Sequence, residues 1–153
     1  MLPDDIFRSR LQTTIMALRY WAPSIADAAR LEETETSDYW RINVAPAVAS
    51  ACPFELILHS DQRYDLSIAE ETYEARPIET FDWFIPFADA IAEGNVVQRR
   101  WISRLTAIER GVETLVMLGG GGIWREGRGA YQMPTLDDDG TELRERRFLP
   151  YRR

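Results

Sequence analysis

Apolar residues near the start of the chain recur every three or four positions, which is the spacing of one face of an α-helix. The stripe consists of Ile6, Phe7, Leu11, Ile15, Leu18 and Trp21 or Ala22. A proline and two acids at residues 3–5 suit the first turn of this helix, and Pro23 would end it. Ser24 can cap a second short helix over residues 25–32, so the pattern predicts an N-terminal helical hairpin.

Between Trp40 and Ile78 the pattern changes to an alternation of apolar and polar residues, which is typical of strands with one buried face. The alternation covers residues 39–44, 54–59, 64–68 and 73–78. Pro77 has no amide hydrogen to give to a ladder, so we expect the last strand to be short or to lie at a sheet edge. This stretch therefore predicts four antiparallel strands.

Helical spacing returns at residues 83–92, where Trp83, Phe84 and Phe87 form an aromatic stripe and Gly94 would close the helix. We expect the three rings to anchor this helix on the sheet. A surface groove or ligand site lined by the same rings is the alternative.

Three strand-like runs follow the aromatic helix. Residues 96–105 and 112–118 are separated by a polar turn, and the glycines at 119–122 reverse the chain into residues 123–128. A glycine-rich turn can also cradle a phosphate, but no GK[ST] motif follows and the chain contains no lysine. We therefore interpret the glycines as a hairpin turn with a mobile tip.

After Gly129 no hydrophobic period is sustained. We divide the chain into a single α+β domain, residues 1–130, and a loosely ordered C-terminal tail, residues 131–153, which Phe148 and Tyr151 could dock. The predicted fold is a two-layer α+β arrangement with an N-terminal helical hairpin, one aromatic helix and an antiparallel sheet. The sheet should contain about seven strands in two meanders.

Composition and charge indicate which partners and which cellular compartment to expect. The chain has 153 residues, of which 45% are hydrophobic, and this is enough for one well-packed core. A net charge of −7 argues against nucleic acid or an anionic membrane as a partner. No apolar run approaches the roughly 20 residues of a spanning helix, and acids precede any apolar segment, so we expect a cytoplasmic protein. The single cysteine, Cys52, is expected to be a small buried hydrophobe.

Candidate catalytic and metal-binding residues are few. His59 is the only histidine, so one chain cannot assemble a histidine-rich metal centre. Asp61 and Asp65 could form a weak carboxylate–imidazole site with it, but we expect a solvated histidine at the end of a hairpin. No G-x-S-x-G motif marks a nucleophile. We predict no catalytic residue, no metal and no cofactor.

All 18 basic residues are arginine, and six of them lie around the three last strands. They are Arg99, Arg100, Arg104, Arg110, Arg125 and Arg128. On a strand, Arg100 and Arg104 share one face, whereas Arg99 shares the other with Trp101. These side chains could bind an anion or recruit an acidic or aromatic partner. Pairing across strands with Glu109, Glu113 and Glu126 is the alternative.

Two functional hypotheses remain. The leading one is a non-catalytic, protein-binding accessory or adaptor module that acts as a homodimer, because a sheet with so few helices has an edge or a face to hide. The alternative is a small-molecule-binding domain or enzyme for an anionic ligand, with a pocket between sheet and helices. The candidate ligand-binding residues are Arg99, Arg100, Arg104, Trp101 and Trp40, with Trp83 as a further lining residue.

Overall fold

The computed structural model describes residues 1–129 and 140–152. It begins with an 18-residue helix, α1 (Asp4–Trp21), and one turn of 3₁₀-helix (Ala22–Ile25) that contains Pro23. The predicted first helix is confirmed. Its buried side consists of Phe7, Leu11, Thr14, Ile15, Leu18 and Trp21. Helical spacing of the apolar residues therefore fixes which side of α1 faces the core.

Five antiparallel strands in sequential order form the first sheet. They are β1 (Ala29–Glu35), β2 (Tyr39–Pro46), β3 (Phe54–His59), β4 (Arg63–Ile68) and β5 (Glu71–Pro77). The four strands predicted between Trp40 and Ile78 are confirmed as β2 to β5. The strand that contains Pro77 lies at the edge of the sheet, where a missing amide hydrogen is tolerated.

The predicted second helix over residues 25–32 is wrong, and with it the helical hairpin. Residues from Ala29 onward form β1, which pairs with β2 from Ala29 opposite Pro46 to Glu35 opposite Trp40. Alanine and glutamate are good helix formers, but the differences in helix propensity among ordinary residues are below about 1 kcal/mol per residue. Pairing with β2 satisfies the backbone groups of both strands, and this tertiary context overrides the local preference.

The inner face of the first sheet packs against α1 and a second helix, α2 (Phe84–Ala92). Aromatic rings make the junction: Phe54 on β3 lies 6.3 Å from Trp21 and 6.3 Å from Phe87, measured between ring centroids. Phe84 and Phe87 are fully buried, which confirms that the aromatic stripe anchors this helix. Gly94, with φ of +84°, follows the helix as predicted.

Four antiparallel strands form the second sheet, in the order β8-β7-β6-β9. They are β6 (Val96–Ser103), β7 (Glu109–Met117), β8 (Ile123–Gly129) and β9 (Thr141–Arg147). The α+β class with antiparallel sheets is confirmed, and the three strands predicted after residue 96 are present. The single sheet of about seven strands is instead two sheets of five and four strands within the described residues.

The stretch after residue 139 is attached to both sheets. β9 pairs with β6, Phe148 and Tyr151 are buried, and the Tyr151 hydroxyl donates to the Cys52 carbonyl oxygen at 2.6 Å. Cys52 is itself buried, as expected, and burial raises the pKa of its thiol to about 12. The part of the predicted tail at residues 131–139 lies outside the described residues.

The glycine run reverses the chain between β7 and β8, as expected for a hairpin. Gly119–Gly121 form a short 3₁₀ turn in which Gly120 and Gly121 have φ values of 81° and 91°. Only glycine adopts this conformation without strain, and the Leu118 amide closes the turn by donating to the Gly122 carbonyl oxygen at 2.8 Å.

Neither α1 nor α2 is long and apolar enough to cross a membrane, and the same holds for every other helix in the described part of the chain.

Candidate functional site

The arginines of β6 lie on opposite faces of the second sheet. Arg100 is paired with Val112 and lies on the inner face, toward β5, whereas Arg99 is paired with Glu113 on the outer face. Trp101 shares the outer face with Arg99 because side chains alternate along a strand. Each face therefore has to be considered as a separate candidate site.

On the inner face, two arginines and two glutamates form a charge network that joins the sheets. Arg128 donates from Nε to Glu71 Oε1 at 2.7 Å and from Nη2 to Glu71 Oε2 at 3.2 Å. Arg100 donates to Glu109 Oε2 at 2.5 Å, and Glu109 also accepts from Arg128. Glu71 is buried, so its ionised carboxylate needs such partners. The network fastens β5 to the second sheet.

A hydrogen-bonded chain continues from this network into the core. Arg100 donates to Gln98 Oε1 at 3.0 Å, and Gln98 Nε2 donates to Thr114 Oγ1 at 3.2 Å. The hydroxyls of Thr114 and Tyr73 are 3.1 Å apart, so a hydrogen bond connects β7 to β5. Gln98 and Thr114 are almost fully buried, and these contacts satisfy their polar groups.

On the outer face, Arg99 lies between two glutamates. Its Nε donates to Glu145 Oε2 at 3.1 Å, and its Nη1 is 3.5 Å from Glu113 Oε1. Arg125 approaches the same Glu113 at 3.1 Å. Arg99 and Arg100 thus both form ion pairs with glutamates on neighbouring strands, which is the alternative to an anion-binding role for these arginines.

The remaining candidate residues lie on different surfaces. Trp40 is buried on β2, where its Nε1 donates to Glu33 Oε2 at 2.8 Å. Trp101 lies on the outer face of the other sheet, and the Arg104 amide beyond it donates to the Gly140 carbonyl oxygen. The structure does not bring Trp40 and Trp101 into one pocket with the arginines.

His59 is half-buried and paired. Its Nε2 is 2.8 Å from Asp65 Oδ2, and Asp65 Oδ1 accepts from the Ala75 amide at 2.7 Å. Partial burial works to raise the pKa of Asp65, but the Ala75 amide and the imidazole outweigh it and lower that pKa. Residues 1–129 and 140–152 contain no group of three or more His, Cys, Asp or Glu side chains placed to hold a metal ion.

An exposed apolar surface lies where β6 ends and where β7 and β9 begin. Leu105 is 92%, Ile108 64% and Leu143 53% exposed. Leu143 is paired with Trp101, and on the other side of Trp101 the paired residue is Gly111, which has no side chain to cover the indole. Within the described residues β9 has a neighbour only on its β6 side. We call β9 together with Trp101, Leu105 and Ile108 the edge surface.

Comparison with family models, with curated proteins and with solved structures returned no match for this chain. The edge surface is thus defined by its exposure, its strand pairing and its charges.

Sequence patterns miss most of the edge surface. Trp101 is recognised from its place beside the arginines of β6, but Leu143 falls in the predicted tail. β9 reads Thr-Glu-Leu-Arg-Glu-Arg-Arg, and from Leu143 onward the whole strand is exposed. A strand that is exposed on both faces shows no alternation of apolar and polar residues, so hydrophobic periodicity does not reveal it.

Acid is expected to destabilise the protein through the inner charge network. Burial works to raise the pKa of Glu109, but hydrogen bonds from Arg100 and Arg128 outweigh it and lower that pKa. A lowered folded-state pKa gives stability that is present above the unfolded-state pKa and is lost as the pH falls through the folded-state value. We expect the melting temperature to fall between about pH 6 and about pH 3.

The variant Glu109→Gln should show a flatter dependence of melting temperature on pH over the same window, because it lacks the titrating carboxylate. Glu74→Gln, on an exposed position of β5, is the matched control and should follow the unmodified chain. Equal slopes for Glu109→Gln and the unmodified chain, measured by thermal denaturation, would contradict the role assigned to Glu109.

Proposed function

We propose that the protein is a non-catalytic, protein-binding accessory module that acts as a homodimer, and that the edge surface joins the two copies. The observation that carries this proposal is the second edge of β9, which no strand of residues 1–129 or 140–152 covers, beside the exposed Leu143. An unpaired edge presents backbone amide and carbonyl groups to another strand. Pairing of β9 with β9 of a second copy would join two four-stranded sheets into one continuous sheet.

The side chains of β9 favour one register for this pairing. In a continuous sheet, two residues that lie opposite each other on neighbouring strands point to the same face. Two identical antiparallel strands related by a two-fold axis meet this condition only if the axis passes between one residue and its own copy. With the axis at Leu143, this leucine lies opposite its own copy. Glu142 then lies opposite Arg144 of the second copy, and the same pair occurs again across the axis.

Neighbouring registers are opposed by charge. An axis at Arg144 places that arginine opposite its own copy, and an axis at Glu142 places two glutamates opposite each other. Like charges directly opposite each other destabilise a strand pair, and opposite charges stabilise it by about 0.2–1 kcal/mol. In the single chain Arg144 and Glu142 are already 3.3 Å apart, so dimerisation would merge two ion pairs into a ring of four charges.

Charge exchange between the two positions tests the register. Glu142→Arg and Arg144→Glu should each weaken the dimer, because each replaces two attractive pairs by two repulsive ones. An equimolar mixture of these two variants should restore dimers, since the two arginines of the first variant would then face the two glutamates of the second across the axis. The expected change is roughly tenfold in the dissociation constant, measured by sedimentation equilibrium.

Glu74→Arg, on β5 and away from the edge surface, serves as the control for the change in charge and should leave the dimer unaffected. Circular dichroism verifies that every variant is folded. A monomeric mass for the unmodified chain at all concentrations would contradict the proposal. Dimers whose stability is unchanged in both single variants would contradict the register and the use of β9.

A further inference from the structure

A second candidate site lies between the start of α2, the first sheet and β8. It is a cavity of about 370 Å³, whose lining includes Tyr64, Trp83 and Trp124 together with the carboxylates Glu79 and Glu126. Its volume is near the lower end of the range of roughly 300–1,000 Å³ for small-molecule sites. The cavity shares no residue with the edge surface, so it is independent of the proposed homodimer.

The aromatic walls are held in place by neighbouring rings. Tyr64 and Trp83 meet at 64° with their centroids 5.2 Å apart. Phe87 contacts Trp83 at 5.3 Å and Trp124 at 5.0 Å, both in edge-to-face geometry. The Trp124 Nε1 is 3.5 Å from the Tyr64 hydroxyl oxygen, which joins two of the walls. The rings are therefore fixed in position before any ligand arrives.

Two carboxylates act on the same cavity. Glu79 and Glu126 both line the cavity beside Tyr64. Burial raises the pKa of the Tyr64 hydroxyl, and the negative charges of Glu126 and Glu79 act in the same direction. Arg76 partly neutralises Glu126, since its Nε is 3.1 Å from Glu126 Oε2. Glu79 is exposed at the rim and makes no ion pair with the described residues.

The arginine that also lines the cavity is directed elsewhere. Arg125 Nε is 3.1 Å from Glu113 Oε2, on the outer face of the second sheet. Its positive charge is therefore balanced outside the cavity. Three aromatic walls with a carboxylate at the rim form an environment that attracts positive charge and repels anions.

We propose that this cavity binds a compact organic cation, such as a methylated ammonium group. The face of an aromatic ring carries negative electrostatic potential, and tryptophan attracts cations best among the aromatic side chains. The methyl groups of a methylated ammonium are apolar and can contact aromatic side chains directly. A metal ion holds its water molecules strongly and is therefore a poorer ligand for such a lining. The same group can come from a free small molecule or from a methylated lysine of a peptide.

Titration of the protein with choline, monitored by tryptophan fluorescence and isothermal calorimetry, tests the proposal. Choline is expected to bind, whereas its neutral isostere 3,3-dimethylbutan-1-ol is expected to bind much more weakly or not at all. A peptide that contains trimethyllysine, compared with the same peptide containing unmodified lysine, distinguishes the two sources of the cation. Binding of choline alone indicates a free ligand, and a clear preference for the methylated peptide indicates a protein side chain.

Two variants assign the binding to this cavity. Trp83→Leu should weaken choline binding roughly twofold to thirtyfold. Glu79→Gln, at an exposed position where folding is not at risk, should weaken it up to roughly fivefold. Glu93→Gln, at the opposite end of α2, is the matched control and should bind as the unmodified chain does.

Three results would overturn the proposal: no binding of choline or of the methylated peptide at millimolar concentration, equal binding of the neutral isostere, or unchanged binding in both Trp83→Leu and Glu79→Gln. The unmodified chain and each variant are first shown to be folded by circular dichroism. Failure of the homodimer proposal would leave this test unaffected, because the two proposals use different residues.

Discussion

Phe87→Ala is expected to lower the free energy of unfolding by about 3–5 kcal/mol. Phe87 is fully buried where α2 meets both sheets. The centroid of its ring lies 6.3 Å from that of Phe54, 5.3 Å from that of Trp83 and 5.0 Å from that of Trp124. Truncation would remove apolar surface from the core and leave a cavity among rings that are too constrained to close it.

Phe81→Ala provides the comparison for this prediction. Phe81 is only partly buried and packs at the rim of the same aromatic cluster, 5.4 Å from Phe7. Its truncation should therefore destabilise the protein much less. Urea denaturation measures both changes, and similar losses for the two variants would show that α2 is not the centre of the core.

Gly94→Ala is expected to destabilise the protein by about 2–4 kcal/mol, through backbone strain and overpacking together. The φ of +84° at Gly94 lies in the left-handed region, where a β-carbon is unfavourable. A β-carbon built there would also lie 2.6 Å from the Pro150 nitrogen and 2.9 Å from the Leu149 carbonyl carbon. The backbone of the C-terminal segment would have to move away from α2.

Gly119→Ala is the matched control, because a β-carbon at Gly119 has no atom within 4 Å apart from those of its own residue and its two chain neighbours. This variant should leave the free energy of unfolding nearly unchanged, within about 0.5 kcal/mol. If Gly94→Ala were equally neutral in chemical denaturation, the close approach of residues 149 and 150 to the end of α2 would not exist in solution.

The agreement between sequence and structure depends on how much of each element is buried. One side of α1 and one face of β2 to β4 lie in the core. Buried apolar residues such as Leu11 and Leu56 therefore recur with the period of the helix or strand to which they belong. β1 has no fully buried side chain, and its one alanine and three glutamates carry no strand signal. Its conformation is decided by pairing with β2, which a local pattern does not contain.

The candidate sites are harder to predict than the strands. Arg100 and Arg128 are recognisable as a concentration of charge, but their partner Glu71 lies in the other sheet and 57 positions from Arg128 in the chain. Tyr64 lies on β4, Trp83 directly before α2 and Trp124 on β8, and each of them on its own indicates only a packed core. Sites assembled from distant segments become visible only when the sheets are placed together.

The pairing of β6 with β9 also has a consequence for biosynthesis. β1 to β5 are neighbours in both sequence and space, so the first sheet can form progressively while the ribosome is still elongating the chain. β6 obtains its second neighbour only after β9 has emerged. Until then one edge of β6, which begins Val-Val-Gln, is unpaired in the nascent chain. A chaperone would be of most use during this interval.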